Sequence, residues 1–89
     1  MWRELAWSDE GEAHIAKHDV RASEAEEVVT TGPRWEHPGA EGSTLVYGRS
    51  AAGRALLVVL VESADGRWYV ATARDLSTRE IRTFRRKGR

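Results

Sequence analysis

The residues of this chain that could do chemistry are a histidine next to a lysine and several arginines at the ends of apolar segments. His18 follows Lys17 directly. The arginines stand at the edges of aliphatic or β-branched segments: Arg49, Arg54 and Arg74. An imidazole, with its ordinary pKa of about 6.5, can accept or donate a proton near neutrality. Guanidinium groups stay ionised and fit the oxygens of a phosphate. Together these residues predict a site that holds a phosphate and moves a proton.

Cations are concentrated near the C-terminal end of the chain. Residues 74–89 hold seven basic and two acidic residues, although the net charge of the whole chain is zero. Residues 1–45 carry ten acidic and four basic residues, and residues 46–89 carry four acidic and ten basic ones. If the fold keeps the halves on different surfaces, one surface can bind an anion and the other a basic protein. Alternatively, the two halves interleave their charges.

A basic segment of this kind can follow a nucleic-acid backbone, with an affinity that falls steeply as salt rises. We predict that the following cations contact RNA: Arg54, Arg79, Arg82, Arg85, Arg86 and Lys87. The alternative is a solvated helix face that ends in a mobile basic tail over residues 85–89. Trp35 and Trp68 could stack on bases. For Trp68 and for Trp7, however, a place in the core is the favoured interpretation.

Cleavage of RNA without a metal ion needs a base for the ribose 2′-hydroxyl, cations for the charge around phosphorus, and an acid for the leaving 5′-oxygen. The candidate catalytic residues are Lys17, His18, Arg49, Glu62 and Arg74. Structural alternatives exist, because His18 can cap a helix and Arg74 can pair with Glu62 or Glu80. His14 precedes His18 by four residues. A third ligand is not evident, so we predict no metal site.

Capping residues predict three helices that would position these groups. Ser8 is a good N-cap for a helix over residues 9–18. Gly32 and Pro33 end the second helix. Two capping boxes start the second and third helices: Ser23 with Glu26, and Ser77 with Glu80.

Four strands are predicted from β-branched and aromatic residues. The first covers residues 2–7, and a loop over residues 33–43 separates the second helix from the rest. The later strands cover residues 44–49, 54–62 and 67–73. The order is strand, helix, helix, three strands, helix. It predicts an α+β fold with a small antiparallel sheet and the helices on one face.

Length and composition limit the class of protein. The 89 residues make a single domain over 1–89, and the absence of cysteine excludes disulfides and thiolate zinc sites. The longest apolar stretch, residues 55–61, is too short to cross a bilayer. The N-terminal residues lack the apolar segment of a signal peptide. We therefore expect a cytoplasmic location.

Short motifs, in order along the chain, resemble the BrnT family of bacterial toxins. In the first third of the chain, three motifs resemble the front of the family: Trp7-Ser8-Asp9, Ile15-Ala16-Lys17-His18-Asp19-Val20 and Glu24-Ala25. Four later motifs resemble the back of the family: Gly48-Arg49-Ser50, Gly53-Arg54-Ala55-Leu56-Leu57-Val58-Val59, Ala71-Thr72-Ala73-Arg74 and Thr78-Arg79-Glu80. Asp19 stands where the family usually has glycine, and Phe84 stands where a tyrosine is common.

This resemblance implies a RelE-like fold and the toxin role in a type II toxin–antitoxin pair. Such a toxin is a metal-independent endoribonuclease that needs no cofactor and inhibits translation by cleaving RNA, free or on the ribosome. The implied partner is an antitoxin with a DNA-binding domain, and the pair represses its own operon. Two alternatives are a non-catalytic antitoxin-binding module and an inactive RelE-fold homologue. The enzyme requires His18 and Arg74 to meet in one exposed cleft.

Overall fold

The computed structural model describes residues 5–87, and over this range the chain forms five strands and three helices. A short 3-10 turn at Ala40–Gly42 precedes the third strand. In chain order the elements are β1 (Leu5–Ala6), α1 (Asp9–Lys17), α2 (Ala22–Thr30), β2 (Arg34–Pro38), β3 (Thr44–Arg49), β4 (Ala55–Glu62), β5 (Trp68–Asp75) and α3 (Thr78–Lys87). The α+β class is confirmed.

The strands form one sheet in the order β1-β5-β4-β3-β2. Neighbouring strands are antiparallel except β1, which pairs parallel with β5. The sheet is therefore mixed rather than purely antiparallel. The predicted first strand is represented by Leu5–Ala6 alone, because residues 2–4 lie outside the described residues. The predicted tail at 85–89 begins as helix, since α3 extends to Lys87.

The helices cover both faces of the sheet, so the prediction that all of them lie on one face is wrong. Leu56 and Val58 of β4 belong to a core cluster with residues of α1 and α2. Leu57, between them, belongs to a second cluster with Phe84 of α3. Successive strand residues point to opposite faces, and β4 is apolar at nearly every position. A strand of that kind needs cover on both sides. We call the two sides the α1–α2 face and the α3 face.

The segment predicted as a loop contains an additional strand, β2. All five of its residues pair with β3, with Trp35 opposite Tyr47. The local sequence gave little indication of this strand, because Pro33 precedes it, Pro38 ends it, and charged residues alternate with aromatic ones between them. Pairing with β3 and the contact of Trp35 with the α3-face core supply the missing stabilisation. An edge position also tolerates Pro38.

Two of the three predicted helix starts are confirmed. The hydroxyl of Ser8 accepts a hydrogen bond from the Gly11 amide at 3.0 Å. The Ser77 amide donates to Glu80 at 2.8 Å, and the Glu80 amide donates back to the Ser77 hydroxyl at 3.2 Å.

The Ser23–Glu26 box is wrong, because α2 begins two residues earlier. Arg21 is the N-cap, and its amide donates to the Glu24 carboxylate at 3.0 Å. Glu26 instead accepts a hydrogen bond from the Trp7 indole at 2.9 Å, which ties α2 to the chain before α1. A carboxylate three residues after the N-cap fits both registers, so the sequence alone does not separate them.

Candidate functional site

Arg54 forms a structural junction on the α1–α2 face. Its Nε and one terminal nitrogen donate to the two carboxylate oxygens of Asp75 at 2.8 and 3.1 Å. The guanidinium also donates to the carbonyl of Asp19 at 2.7 Å and to Glu24 at 3.2 Å. A longer bond of 3.3 Å reaches the carbonyl of His18. The prediction that Arg54 contacts RNA is therefore not supported, because its donors hold the α1–α2 turn against the ends of β4 and β5.

The contact between Arg54 and Asp75 also shifts the pKa values of both groups. Hydrogen bonding to Asp75 raises the pKa of Arg54 above its ordinary value, although partial burial works in the opposite direction. The same bond lowers the pKa of Asp75. Both groups are thus held in their ionised forms, which suits a permanent structural tie rather than a group that exchanges protons.

Arg74 lies on the α3 face and is bound to Glu80. Its two terminal nitrogens each donate to one Glu80 oxygen at 2.8 Å, and one of them also donates to the carbonyl of Asp75 at 3.0 Å. This bidentate pair raises the pKa of Arg74 and lowers that of Glu80 to about 2. Of the roles considered for Arg74, the ion pair with Glu80 is the one that the structure contains.

His18 and Arg74 do not meet in a shared cleft. Arg74 and Asp75 are successive residues of β5, so their side chains project to opposite faces. Asp75 and Arg54 lie on the α1–α2 face, and the exposed His18 lies beside them, close enough for its charge to affect the pKa of Asp75. The β5 backbone stands between this group and Arg74. The predicted catalytic pairing of His18 with Arg74 is therefore wrong.

The remaining predicted catalytic residues are dispersed. Lys17 is exposed at the end of α1. Arg49 donates to the carbonyl of Gly53 at 3.1 Å and so braces the turn between β3 and β4. Glu62 is exposed at the far end of β4, roughly 23 Å from its first residue at 3.3 Å per residue. Glu62 cannot share a site with the residues around Arg54 or Arg74.

Replacing Glu80 with glutamine should destabilise the fold by about 2 kcal/mol at pH 7, because it removes half of the capping box and the bidentate partner of Arg74. The folded-state pKa of Glu80 is about 2, below its unfolded value, so its contribution is present at neutral pH and is lost as pH falls from about 5 towards 2. Chemical denaturation of both proteins between pH 7 and pH 2 measures this.

The matched control for that experiment is Glu62→Gln, which neutralises an exposed carboxylate of β4. It should leave the free energy of unfolding at pH 7 within about 0.5 kcal/mol of the wild type. A Glu80→Gln deficit that persisted unchanged at pH 2 would show that the loss does not come from the ionised carboxylate.

The outer side of α3 carries cations that have no carboxylate partner among residues 5–87. Ile81 and Phe84 face the sheet. The exposed residues on the other side are Arg79, Arg82, Arg85, Arg86 and Lys87, which we call the α3 arginine surface. A groove of about 700 Å³ runs among the four arginines and Thr83. Arg54 and Arg74 are bound to carboxylates, whereas the α3 arginine surface offers an incoming anion four guanidinium groups without carboxylate partners within the described part of the chain, all on one helix.

Three rings stand together on the α3 face at β2. Trp35 is half-buried, with its ring centre 4.8 Å from that of Tyr47 and 5.2 Å from that of His37. The planes of Trp35 and His37 differ by 28°, which is a stacked arrangement. Trp35, which we predicted could stack on bases, already stacks on His37, and the exposed ring is that of His37. The stack of His37 on Trp35 was not predicted from the sequence, because the segment that contains both residues was interpreted as a loop.

Comparisons with family models, with curated proteins and with solved structures find no match. The likeness to BrnT toxins therefore consists of short sequence motifs, and the RelE-like fold stays a prediction.

Within residues 5–87, no helix is long and apolar enough to cross a membrane. The same part of the chain contains no group of three or more histidine, aspartate or glutamate side chains placed to hold a metal ion.

This arrangement can bind a polyanion at the α3 face. It supplies fixed positive charge on a helix and, beside β2, an exposed aromatic ring. The opposite face is different, because α1 has acidic residues in its first turn and the principal arginine there is saturated by protein contacts. The acidic first turn of α1 and the basic side of α3 thus lie on different sides of the sheet.

Proposed function

We propose that the protein binds RNA through the α3 arginine surface and acts as the toxin of a type II toxin–antitoxin pair. The observation that carries this proposal is a helix with five exposed cations and no carboxylate partner for them within residues 5–87, in a chain of zero net charge. Unpaired cations on one surface repel each other, so they cost stability unless an anion binds there.

The identity of the cations favours phosphate over other anions. Four of the five are arginines, whose planar donors match phosphate oxygens in pairs. Arg79, Arg82 and Arg86 recur at helical spacing, so they form a stripe along the axis rather than a single point of charge. A stripe suits a chain of phosphates better than it suits one small anion.

The resemblance to BrnT toxins supplies the second part of the proposal, metal-independent cleavage of RNA. On this proposal the arginines stabilise the extra charge around phosphorus. Catalysis does not use a pairing of His18 with Arg74, because these residues lie on opposite faces of the sheet. The partner is a cognate antitoxin with a DNA-binding domain, and the location is the cytoplasm.

A second candidate is a non-catalytic binding module, in which the α3 arginine surface binds an acidic segment of the antitoxin. The observation that favours it is that Arg74 is held by Glu80 while His18 lies on the other face. An inactive homologue of the same fold would look alike in these respects, since Phe84 has no hydroxyl and is buried against the sheet.

Purified protein should bind single-stranded RNA, and its affinity should fall about 50- to 130-fold between 50 and 200 mM salt, because four or five phosphates are neutralised. Fluorescence anisotropy with a labelled oligonucleotide in EDTA measures this, and gel electrophoresis of the same samples detects cleavage.

Expression without an antitoxin should also arrest bacterial growth. RNA binding without cleavage or growth arrest would select the non-catalytic module. Absence of RNA binding at 50 mM salt, by protein shown to be folded, would contradict the proposed function.

A further inference from the structure

A second groove lies against the exposed ring of His37. It is an open groove with a volume of about 400 Å³. Its other walls come from β2, from the following turn and from the first residue of β3: Glu36, Pro38, Gly39, Gly42, Ser43 and Thr44. The turn contributes only small residues to the groove (Gly39, Gly42 and Ser43), while β2 contributes the aromatic ring of His37 and the carboxylate of Glu36.

The turn that forms the far wall is held in place by its own hydrogen bonds. The Gly39 amide donates to the Ser43 carbonyl at 2.8 Å. The amide and the hydroxyl of Ser43 both donate to the carbonyl of Ala40, at 3.0 and 2.7 Å. His37 is fixed on the other side by its stack on Trp35. Both walls of the groove are thus set before a ligand arrives, which lowers the entropy cost of binding.

The groove lies near the C-terminal end of α3, which crosses the sheet from β5 towards β2. The helix begins just after β5 and packs against β2, three strands away. Its 10 residues span about 15 Å, and three strand spacings measure about 14 Å. The C-terminal turn, with Arg85, Arg86 and Lys87, therefore reaches β2 beside Trp35. His37 is two residues further along the same strand, roughly 7 Å away.

We propose that His37, stacked on Trp35, is the platform for one unpaired base of a single-stranded RNA whose phosphates lie on the α3 arginine surface. This inference rests on the proposed function and adds the class of RNA and the residue that receives a base. A base in a duplex is already stacked on both faces and cannot lie flat on a protein ring. A base in a single strand can, and stacking accepts any base because each has a π face.

The experiment compares His37→Ala with His37→Phe. The probe is a labelled 2′-O-methyl oligoadenylate of about 12 nucleotides, which a 2′-hydroxyl mechanism cannot cleave and which suits the length of single-strand sites. His37→Ala should weaken binding about tenfold, while His37→Phe should stay within about twofold of the wild type. The slope of affinity against salt should be unchanged in both variants, because no phosphate contact is removed.

Val61→Ala is the matched control, since Val61 is an exposed large hydrophobic residue of β4, two strands from β2, and does not line the groove. It should bind as the wild type does. Near-ultraviolet circular dichroism checks that each variant is folded. A duplex of the same length should bind less tightly than the single strand, and His37→Ala should not alter its affinity.

The outcomes separate this inference from the function on which it rests. If the wild type binds no RNA, both fail. If the wild type binds with the expected salt slope but His37→Ala binds equally well, the stacking platform is wrong and the α3 arginine surface stands. An equal loss in His37→Ala and His37→Phe, or a change in salt slope, would show that His37 acts through its polar ring atoms and would overturn the proposal.

Discussion

Replacing Arg82 and Arg86 together with glutamate should reduce RNA affinity at 50 mM salt by at least about 100-fold, without unfolding the protein. Two of the five cations of the α3 arginine surface disappear, and two repulsive charges take their places in the same groove. Both side chains are exposed, so the core contacts of Ile81 and Phe84 are kept. The salt dependence should become shallow as well, since few phosphate contacts remain. Fluorescence anisotropy across a salt series measures both quantities.

The control must change the net charge of the protein by the same amount elsewhere. Lys17→Glu with Arg21→Glu does so at the α1–α2 turn, where both side chains are exposed. That variant should bind RNA within about threefold of the wild type, because a distant exposed charge is largely screened at working salt. If both double variants lost affinity equally, net charge rather than the α3 arginine surface would govern binding, and the interface would have to be sought elsewhere.

The elements that the sequence predicts well are those with a strong local signal. The apolar run of β4 and the caps at Ser8 and Ser77 carry their information within a few residues. β2 is different, because a five-residue edge strand ending in proline has weak propensity of its own. Its stability comes from pairing with β3, far along the chain, and from the contact between Trp35 and Tyr47. Such contacts form only when distant parts of the chain pair in the sheet, so the local sequence does not predict them.

The site was predicted less well because the expected pairing of His18 with Arg74 joins residues that are far apart in sequence, and it did not take into account the face of the sheet on which each one lies. Arg74 ends an apolar run, and that position suggested a clamp for phosphate. Period-two alternation, which the sequence does contain, would have placed Arg74 and Asp75 on opposite faces. The contacts of Arg54 with Glu24 and with the carbonyl of Asp19 join residues 30 or more positions apart. No local sequence pattern therefore predicts them. The basic α3 surface was found because helical spacing and charge are both local properties.

Gly11→Ala should destabilise the protein strongly, although alanine is the better helix former. Gly11 is a buried residue in the first turn of α1, and a Cβ built there would overlap the backbone carbonyl oxygen of Val70 in β5. Neither backbone can move without disturbing the Ser8 cap or the β4–β5 pairing. Overpacking of this kind exceeds the gain of about 1 kcal/mol that alanine brings to a helix. We expect a net loss of about 3 kcal/mol, or at least about 12 °C in Tm for a domain of this size.

The consequence goes beyond stability, because this contact protects an edge of the sheet. β1 pairs with only the first two residues of β5, and beyond them α1 lies along the strand. The His14 ring nitrogen donates to the carbonyl of Ala71 at 3.1 Å, next to the Gly11 contact. Moving α1 outwards would expose backbone groups that pair readily with another chain. Gly11→Ala should therefore aggregate on heating, which light scattering detects during the thermal scan.

Glu12→Ala provides the comparison, since Glu12 is exposed on the same turn and a methyl group there meets no neighbouring strand. Its Tm should stay within about 4 °C of the wild type. Helix propensity alone predicts that Gly11→Ala stabilises the protein. A higher Tm for that variant would thus mean that α1 does not contact the backbone of β5 closely at Gly11. Because the α1–α2 turn is also held by Arg54, the same result would call into question the packing that separates His18 from Arg74.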